Sequence, residues 1–241
     1  NYVVIYPHMI QREITKRIFK SKNHTLLLGA RQVGKTTILK QLKPAKFINL
    51  ADESEYISYS KDPSKLLREL RAFKGSGVVA IDEIQRIPRL LNNIQVLIDE
   101  KSRFRFIITG SSARKLKKGH ANLLPGRIVL EYLDPLMIAE IGDKFEVAKA
   151  LQTGTLPGIY FNKETGADIL EYYSIIYLKE EIQAESIARD IGSYSRFLDV
   201  AAQSSGQWVN FSKLSNDAEI PKETIRRYYS ILEDALVAFK I

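Results

Sequence analysis

The sequence predicts an α/β protein in which a mostly parallel, five-stranded sheet is followed by a smaller helical domain. Short apolar runs alternate with helical patterns through the first half of the chain, and this alternation indicates right-handed crossovers between parallel strands. A glycine-rich loop joins the first apolar run to the next helix, and a later apolar run ends in two acidic residues. Beyond about Leu136 the strand patterns end and helical patterns follow.

Five segments have the composition of strands, namely His24–Leu28, Lys46–Leu50, Val78–Ile81, Phe104–Thr109 and Arg127–Tyr132. Helical patterns occur at 9–19, Thr36–Leu42, Pro63–Phe73, Leu90–Asp99, Ile138–Ala150, Gly166–Ser186 and Tyr194–Ser204. We expect three parts. These are a core with an N-terminal helix at 1–135, a helical lid or linker at 136–194, and a winged-helix-like domain at 195–241 that is truncated at its C-terminus.

The composition narrows the class of protein. The chain has 241 residues, of which 45% are hydrophobic, so it can bury a substantial core and is not disordered or fibrous. Cysteine is absent and there are only three histidines, which excludes disulfides and cysteine nucleophiles and disfavours a zinc enzyme. No apolar run approaches the roughly 18 residues that a membrane span needs, and there is no signal-peptide pattern. We therefore expect a cytoplasmic chain, trimmed at its start, with no membrane partner.

The net charge of +8 is unevenly distributed. Residues 1–48 carry ten Lys and Arg against one acid, and residues 101–130 carry eight and no acid, whereas 131–194 carry twelve acids against five bases. Two basic stretches in one domain favour a polyanionic partner, either nucleotide phosphates or nucleic acid. A basic surface without such a partner is the alternative, because net charge bears on association and not on fold.

The segment G-A-R-Q-V-G-K-T-T at 29–37 has the spacing G-x-x-x-x-G-K-[ST] and lies between a buried strand and a helix. In such a loop the glycines let backbone N–H groups surround a β-phosphate, and the helix adds its own free N–H groups. Lys35 would contact the β- and γ-phosphates, and the Thr36 hydroxyl would ligate Mg²⁺. The predicted nucleotide-binding residues of this phosphate loop are Gly29, Ala30, Arg31, Gln32, Val33, Gly34, Lys35, Thr36 and Thr37.

Two acidic residues, Asp82 and Glu83, follow the apolar run of the third predicted strand. At the C-terminal end of a parallel strand, Asp82 would face the phosphate loop and hold Mg²⁺ through water. Glu83 would polarise an attacking water molecule. Such an adjacent base is typical of a hydrolase, whereas many kinases need their base near the acceptor substrate. An exposed acidic turn is the alternative interpretation of the pair.

Two further segments contain candidate catalytic residues. The fourth predicted strand ends in T-G-S-S at 109–112, where Thr109 or Ser111 could hydrogen-bond the attacking water or the γ-phosphate. A simple turn is the alternative there. Arg127, at the start of the fifth strand, could stabilise transition-state charge at the γ-phosphate of a neighbouring subunit, which would make the protein a homo-oligomer. The alternative is a surface arginine that contacts no phosphate.

Together these motifs resemble the AAA+ ATPase family, and more narrowly its prokaryotic members with a C-terminal winged-helix-containing domain of unknown function. The resemblance covers nearly the whole chain and is carried, in order, by 29–37, A-I-D-E-I-Q at 80–85, T-G-S-S at 109–112, L-P-G-R at 124–127, L-D-P-L-M-I-A-E at 133–140, T-G-T-L-P-G at 153–158 and E-T-I-R-R-Y-Y-S-I-L-E-D at 223–234. It implies ATP and Mg²⁺ as cofactors. It also implies that the strand ending in Asp82 is separated from the phosphate-loop strand by the strand ending in Thr109.

The same resemblance implies that Lys35, Thr36, Asp82 and Glu83 have the roles given above, that Ser111 or Thr109 is the polar sensor, and that Arg127 acts across subunits. This sequence departs from the family pattern in two respects. A second sensor arginine is not evident, although Arg189 or Arg196 could serve. Family members also continue beyond Ile241 into a further domain.

The C-terminal segment has the pattern of a helix-turn-helix. Helices at Phe211–Ala218 and Pro221–Leu232 flank a short break, and 235–241 would form the first strand of a wing. Three basic residues on one helix would present charge to a DNA backbone or major groove, namely Lys222, Arg226 and Arg227. The balanced charge of 195–241 weakens that interpretation, and a protein–protein module is the alternative.

These observations predict a P-loop ATPase that binds and hydrolyses MgATP and couples nucleotide state to the movement of a winged-helix module, with double-stranded DNA as a candidate partner. One alternative is a nucleotide-switched protein-interaction ATPase, as in signalling or defence, that does not bind DNA. Another is a small-molecule or nucleotide kinase. The adjacent Asp82 and Glu83, and the lack of an evident lid, disfavour the kinase.

Overall fold

The computed structural model describes residues 10–111, 124–162, 169–174 and 191–240. The chain divides into two compact units, Asn1–Lys163 and Glu164–Ile241. The division falls inside the segment 136–194 that the sequence suggests as a lid or linker, so the first part of that segment belongs to the first unit. The three-part organisation with boundaries at 135 and 194 stays a prediction.

The first unit is built on a five-stranded parallel sheet, as predicted. Its strands are β1 (His24–Leu28), β2 (Lys46–Asn49), β3 (Gly77–Asp82), β4 (Phe104–Gly110) and β5 (Ile128–Tyr132). Their order across the sheet is β2-β3-β4-β1-β5, and every pairing is parallel. The strand that ends in Asp82 is therefore separated from the phosphate-loop strand by β4, which confirms the order that the resemblance implied.

Helices connect these strands and follow them. They are α1 (Glu13–Lys20), α2 (Lys35–Gln41), α3 (Glu53–Lys61), α4 (Lys65–Ala72), α5 (Leu90–Asp99), α6 (Ile138–Ile141), α7 (Val147–Thr153) and α8 (Pro157–Tyr160), with 3₁₀ turns at Ile84–Arg86 and Gly142–Lys144. Across the described ranges, no helix is both long enough and apolar enough to cross a bilayer.

Helix α3 is an element that the sequence pattern did not predict. Only Tyr59 of this helix is buried, so its apolar periodicity is weak. Its start is instead marked by a cap, because the Asp52 carboxylate accepts hydrogen bonds from the amides of Ser54 and Glu55. A hydrogen bond from the Ser54 hydroxyl, and then those from the Glu55 and Ser54 amides, hold the pKa of Asp52 below its usual range. The capping signal, and not hydrophobic periodicity, would have located this helix.

The single helix expected at Ile138–Ala150 is wrong, because the chain forms two short helices there, α6 and α7. Gly142 has a φ of 62°, a left-handed conformation that interrupts the α-helix and leads into a 3₁₀ turn. The start of α7 is stabilised by a residue of another helix. The hydroxyl of the buried Tyr160 accepts a hydrogen bond from the amide of Glu146, which directly precedes α7, at 2.7 Å. This contact comes from α8, so the local sequence could not reveal it.

The core of the first unit includes an apolar residue of the phosphate loop. Val33 is fully buried in a cluster with Ile14 and Ile18 of α1 and with Leu27 of β1. Leu133, directly after β5, belongs to the same cluster. Burial of an aliphatic side chain contributes roughly 1.5–3 kcal/mol. The middle of the phosphate loop is therefore anchored in the core by the hydrophobic effect.

The second unit contains three packed helices, α9 (Ile191–Gln203), α10 (Phe211–Ala218) and α11 (Lys222–Asp234), and a helical stretch at 169–174. Aromatic side chains of α9 and α11 form its core, with Tyr194 against Tyr228 in an edge-to-face arrangement at 4.8 Å between ring centroids. The two predicted helices of the helix-turn-helix are present. Pro221 precedes α11 and does not occupy its first turn.

The wing strand expected at 235–241 does not form in the described part of that segment, 235–240. Leu236 adopts a left-handed φ of 59°, and the amides of Val237 and Ala238 both donate to the Leu232 carbonyl, at 2.9 and 3.2 Å. The Val237 bond, together with one from the Leu236 amide to the Glu233 carbonyl at 3.0 Å, closes the end of α11 as a Schellman motif, so the chain turns back on the helix. The expectation of a strand is wrong for these residues, because the helix cap uses amides that a strand would need for pairing.

His24, at the start of β1, makes the stability of the first unit depend on pH. Its Nδ1 accepts a hydrogen bond from the Phe106 amide at 3.1 Å, which requires a neutral ring nitrogen. Burial, and then the positive charge of Arg105, lower the pKa of His24 from its usual value of 6.5. The unfolded chain therefore binds a proton at mildly acidic pH that the folded protein does not bind.

We expect the free energy of unfolding to fall as the pH drops below about 6.5, and to fall less in His24→Asn, whose amide oxygen can accept the same hydrogen bond without titrating. Urea denaturation of both proteins between about pH 8 and pH 5.5 measures the difference. The other histidines are identical in the two chains and cancel. An equal pH dependence in both proteins would contradict the role of His24.

Candidate nucleotide-binding site

The phosphate loop connects the end of β1 to the start of α2 and depends on two glycines. Gly34 precedes α2 with a φ of 106°, which residues with a side chain rarely adopt. Gly29 lies against the backbone that follows β5, where a Cβ atom would collide with the Leu133 carbonyl oxygen. Both ends of the loop therefore require glycine, one for its conformation and the other for close packing.

Lys35 is folded back over the phosphate loop. Its Nζ donates hydrogen bonds to the carbonyls of Gly29 and Ala30, each at 2.8 Å, and its side chain is almost fully buried. Burial lowers the pKa of Lys35, and the negative charges of Glu83 and Asp82 act against that lowering. The ammonium therefore lies within the field of both acids that the sequence analysis identified.

The remaining residues of the loop differ in their exposure. Arg31 is half-buried, and its positive charge is close enough to lower the pKa of Lys35 further. Gln32 is exposed in a left-handed conformation, with φ of 63°. Ala30 is buried and Thr37 is exposed at the first turn of α2.

Asp82 joins three elements at the carboxyl end of the sheet. The Thr36 hydroxyl donates to Asp82 Oδ2 at 2.5 Å, and the Thr109 hydroxyl donates to the other carboxylate oxygen. Thr109 also accepts a hydrogen bond from the Glu83 amide at 3.3 Å. Asp82 and Thr109 are fully buried. The predicted metal-binding residues Thr36 and Asp82 are therefore in contact, although 46 positions separate them in the chain.

Glu83 is held by a second set of side chains. Its backbone has a left-handed φ of 58° and leads into the 3₁₀ turn at Ile84–Arg86. Non-glycine residues in this conformation concentrate at functional sites. The Ser111 hydroxyl donates to Glu83 Oε2 at 3.2 Å, and the Gln85 amide nitrogen donates to the same carboxylate. Of the two sensor candidates, Ser111 therefore contacts Glu83, and Thr109 contacts Asp82.

Arg12 is a residue of this region that the sequence analysis missed. It is buried directly before α1, and its guanidinium donates to the carbonyls of Val33 and Asp134 at 2.6 Å each. Its Nε pairs with Glu140 at 2.9 Å, and the side chains of both residues are less than one tenth exposed. Arg12 thus fixes the phosphate loop to the segment that follows β5.

Glu140 is stabilised as an anion in this pair. Burial works against ionisation, but hydrogen bonds from the amides of Met137 and Glu13 and from the Arg12 guanidinium hold the pKa of Glu140 below its usual range. The motif L-D-P-L-M-I-A-E already contained this glutamate. Its partner could not be inferred, because 128 positions separate the two residues.

Arg127 directly precedes β5, at the N-terminal end of the strands, whereas the phosphate loop lies at their C-terminal end. His24 pairs with Ile128 and Leu28 with Tyr132, so the length of β5, about 16 Å, separates Arg127 from the start of the loop. Its guanidinium pairs with Asp99 at the end of α5, with 2.6 Å between Nε and Oδ1. Arg127 therefore lies outside the phosphate site of its own chain.

The basic residues predicted to contact DNA lie on α11 of the second unit. Lys222, Arg226 and Arg227 are exposed. Lys222 Nζ donates to Ser212 Oγ at 3.1 Å, and the Arg226 guanidinium lies over the Phe211 ring. Of the candidates for a second sensor, Arg196 binds the Ala218 carbonyl at 3.1 Å within the second unit, and Arg189 lies outside the described residues.

The sequence of the first unit decides its family. The family model described as an AAA domain matches residues 21–142, just over half of the chain. The chain belongs to the AAA domain family. Its first unit is the α/β core of an AAA+ P-loop ATPase. A second model, a domain of unknown function (DUF8612), matches residues 144–241.

Three uncharacterised proteins are similar to this chain in sequence. The uncharacterised proteins Rv2008c of Mycobacterium tuberculosis and Mb2031c of Mycobacterium bovis are each 29% identical to this chain, over 88% of its length and 48% of theirs. The uncharacterised protein MJ1544 of Methanocaldococcus jannaschii is 25% identical, over 96% of this chain and 59% of its own length. The chain therefore spans about half the length of the mycobacterial relatives.

Solved structures resemble the AAA chain only weakly. The replication initiator DnaA, bound to AMPPCP and single-stranded DNA, has a TM-score of 0.43 at 13% identity, over 93% of this chain and 90% of its own. Pif1 helicase at forked DNA has a TM-score of 0.38 at 15% identity, over 68% and 52%. PCH-2 of C. elegans has a TM-score of 0.34 at 15% identity, over 89% and 63%. At these scores, none of the three bears on partners or mechanism.

The donor atoms at the end of β3 suit Mg²⁺. Thr36 and Asp82 offer hydroxyl and carboxylate oxygens, which are the hard ligands that Mg²⁺ prefers. Among the described residues, no group of three or more His, Asp or Glu side chains could hold a metal by itself.

Removing Arg12 from its buried pair with Glu140 should destabilise the AAA core strongly. We expect Arg12→Ala to lower the free energy of unfolding by about 3–5 kcal/mol, because it leaves a buried carboxylate without its partner. Arg17→Ala is the matched control. Arg17 pairs with Glu131 at 2.5 Å but is 65% exposed, so its loss should cost less than about 1 kcal/mol.

Urea denaturation of the three proteins at neutral pH measures both differences. Equal losses in Arg12→Ala and Arg17→Ala would contradict the prediction, because Arg12 is buried and also donates to the Val33 and Asp134 carbonyls, whereas Arg17 is exposed.

Proposed function

We propose that this AAA protein binds MgATP and hydrolyses it to ADP and inorganic phosphate. The observation that carries the proposal is the 2.5 Å hydrogen bond between the Thr36 hydroxyl and the Asp82 carboxylate. It brings the phosphate loop and the acidic end of β3 to one point, where the phosphates and the metal of a nucleotide would meet. Gly34 and the loop amides around it would bind the β-phosphate.

Lys35 would leave its two carbonyl partners and contact the β- and γ-phosphates. Its burial supports this role, because a cation with little access to water interacts strongly with an anionic ligand. Thr36 and Asp82 would hold Mg²⁺, with Asp82 acting through water. When bound, the ion neutralises phosphate charge that develops during the reaction.

Glu83 would orient the attacking water. Its carboxylate accepts a hydrogen bond from the water, whose oxygen forms a bond to the γ-phosphorus while the bond from that phosphorus to the bridging oxygen breaks. The water proton passes to Glu83 and then to the released phosphate. Ser111, which contacts Glu83, would serve as the polar sensor of the γ-phosphate. Because Glu83 directly follows Asp82, this arrangement supports a hydrolase over a kinase.

Two substitutions test this proposal. We expect Lys35→Ala to lose MgATP binding, and Glu83→Gln to keep binding while turnover falls by about 10²-fold or more. Lys40→Ala is the control, since Lys40 lies exposed at the other end of α2. Titration with a fluorescent ATP analogue measures binding, and phosphate release measures turnover.

Tight MgATP binding by Lys35→Ala would contradict the nucleotide site. Full turnover by Glu83→Gln would remove Glu83 as the residue that orients water, even if the nucleotide site is correct.

A role for Arg127 requires a second copy of the chain. Because β5 separates it from its own phosphate loop, we propose that Arg127 contacts the γ-phosphate of a neighbouring subunit in a homo-oligomer. To do so it would have to leave Asp99, which now neutralises its charge. Its position outside its own site supports this proposal.

We further propose that nucleotide state moves the helical unit, and that this unit binds double-stranded DNA through its helix-turn-helix. The exposure of Lys222, Arg226 and Arg227 on one helix favours this partner, since such side chains can contact phosphates. The alternative partner of a nucleotide-switched ATPase is another protein. The equal numbers of acids and bases in 195–241 leave that alternative open.

Trp208 gives a direct measure of DNA binding. It is the one tryptophan of the chain, is fully exposed, and precedes α10. We expect its emission to change on addition of duplex DNA. We expect Arg226→Ala with Arg227→Ala to reduce the slope of log affinity against log salt by about 2, because each lost phosphate contact removes about 0.9.

The control is Arg68→Ala with Arg71→Ala, which removes two exposed arginines from α4 of the AAA core. If the salt slope is unchanged in the α11 variant, that helix does not contact DNA. If no DNA binding is detected in the wild type, a protein is the partner to seek.

A further inference from the structure

We propose that Gln85 is a positioning residue for the Glu83 carboxylate, and that it controls hydrolysis without contributing to nucleotide binding. This inference rests on the proposed ATPase function and assigns a role to the last residue of the motif A-I-D-E-I-Q. Gln85 lies in the 3₁₀ turn Ile84–Arg86, two residues after Glu83.

The amide of Gln85 is occupied at both ends. Its nitrogen donates to the Glu83 carboxylate and to Ser111 Oγ, the latter at 2.8 Å. Its oxygen accepts a hydrogen bond from the Ser111 backbone amide at 3.3 Å. An amide has both a donor and an acceptor, and this contact pattern uses both. Gln85 therefore ties the Glu83 carboxylate to the end of β4 through two different atoms of Ser111.

The carboxylate groups of the two acids have separate side-chain partners, although Thr109 also accepts a hydrogen bond from the Glu83 backbone amide. Asp82 is held by hydroxyl groups of Thr36 and Thr109, whereas Glu83 is held by Gln85 and Ser111. Thr109 and Ser111 are two positions apart, at the end of β4 and just beyond it. A change at Gln85 should therefore disturb Glu83 and leave the contact between Asp82 and the phosphate loop intact. This separation predicts loss of turnover with retained binding.

Glu83 needs such support because its side chain is flexible. The residue is only half-buried, and its carboxylate ends a flexible chain of three rotatable bonds. A hydrogen bond to an ionised carboxylate is stronger than one between neutral groups. The Gln85 amide therefore restricts the carboxylate to one orientation, and small errors in the placement of a catalytic group greatly reduce a rate.

The test compares single-turnover hydrolysis and MgATP affinity in Gln85→Ala, Gln85→Met and Gln85→Glu. We expect Gln85→Ala and Gln85→Met to reduce the rate between about 10-fold and 100-fold with unchanged affinity. Methionine fills the same volume, so it keeps the test valid if alanine impairs folding. Gln85→Glu should reduce the rate further, because a second carboxylate would repel Glu83. Gln41→Ala, at the end of α2, is the control for loss of a half-buried glutamine.

A double-mutant cycle that combines Gln85→Met with Glu83→Gln tests whether Gln85 acts by positioning Glu83 or has only a general structural role. If Gln85 acts through Glu83, adding Gln85→Met to Glu83→Gln should slow hydrolysis no further. An additional loss of the same size as in the wild-type background would overturn the proposal, as would an unchanged rate or a parallel loss of MgATP affinity in the single variants. Full turnover by Glu83→Gln alone would instead show that the proposed role of Glu83 fails, and the role of Gln85 with it.

Discussion

The hydrogen bond between Thr36 and Asp82 forms only because the strand order of the AAA core brings these two residues together. Thr36 lies beyond the C-terminal end of β1, and Asp82 is the last residue of β3. Because both strands run parallel to β4, which lies between them, their C-terminal ends are at the same edge of the sheet. Thr109, at the end of β4, donates to the same carboxylate from between them. The strand order therefore determines which side chains can meet, and a different order would separate the phosphate loop from its acid.

The sequence predicted this fold well wherever local signals were strong. All five strands lie within one or two residues of their expected ends, because each is a short apolar run bounded by turns. Helix α3 was missed because it buries only Tyr59, and the helix from Ile138 to Ala150 was overextended because a glycine at 142 interrupts it. The expected wing strand failed because 235–240 close the end of α11. In each case a helix cap or a backbone conformation determined the outcome, and hydrophobic periodicity carries no information about either.

The candidate site could be predicted for the residues that carry a motif, but not for those that hold the motif in place. The spacing of the phosphate loop and the acid pair identified Lys35, Thr36, Asp82 and Glu83, which the fold brings together. Gln85 was inside a recognised motif, yet its proposed role depends on Ser111, which directly follows β4. Long-range contacts of this kind cannot be inferred from a single sequence, because the type of a residue does not indicate which distant residue it contacts.

The contacts of Arg12 also affect where the AAA domain begins. The family match starts at residue 21, but the guanidinium that secures Val33 and neutralises Glu140 comes from residue 12. A chain cut at the boundary of the match would retain the loop and the buried glutamate while losing α1 and the cation that joins them. The smallest part of this protein that keeps its phosphate loop in place therefore includes α1 and the residue that precedes it.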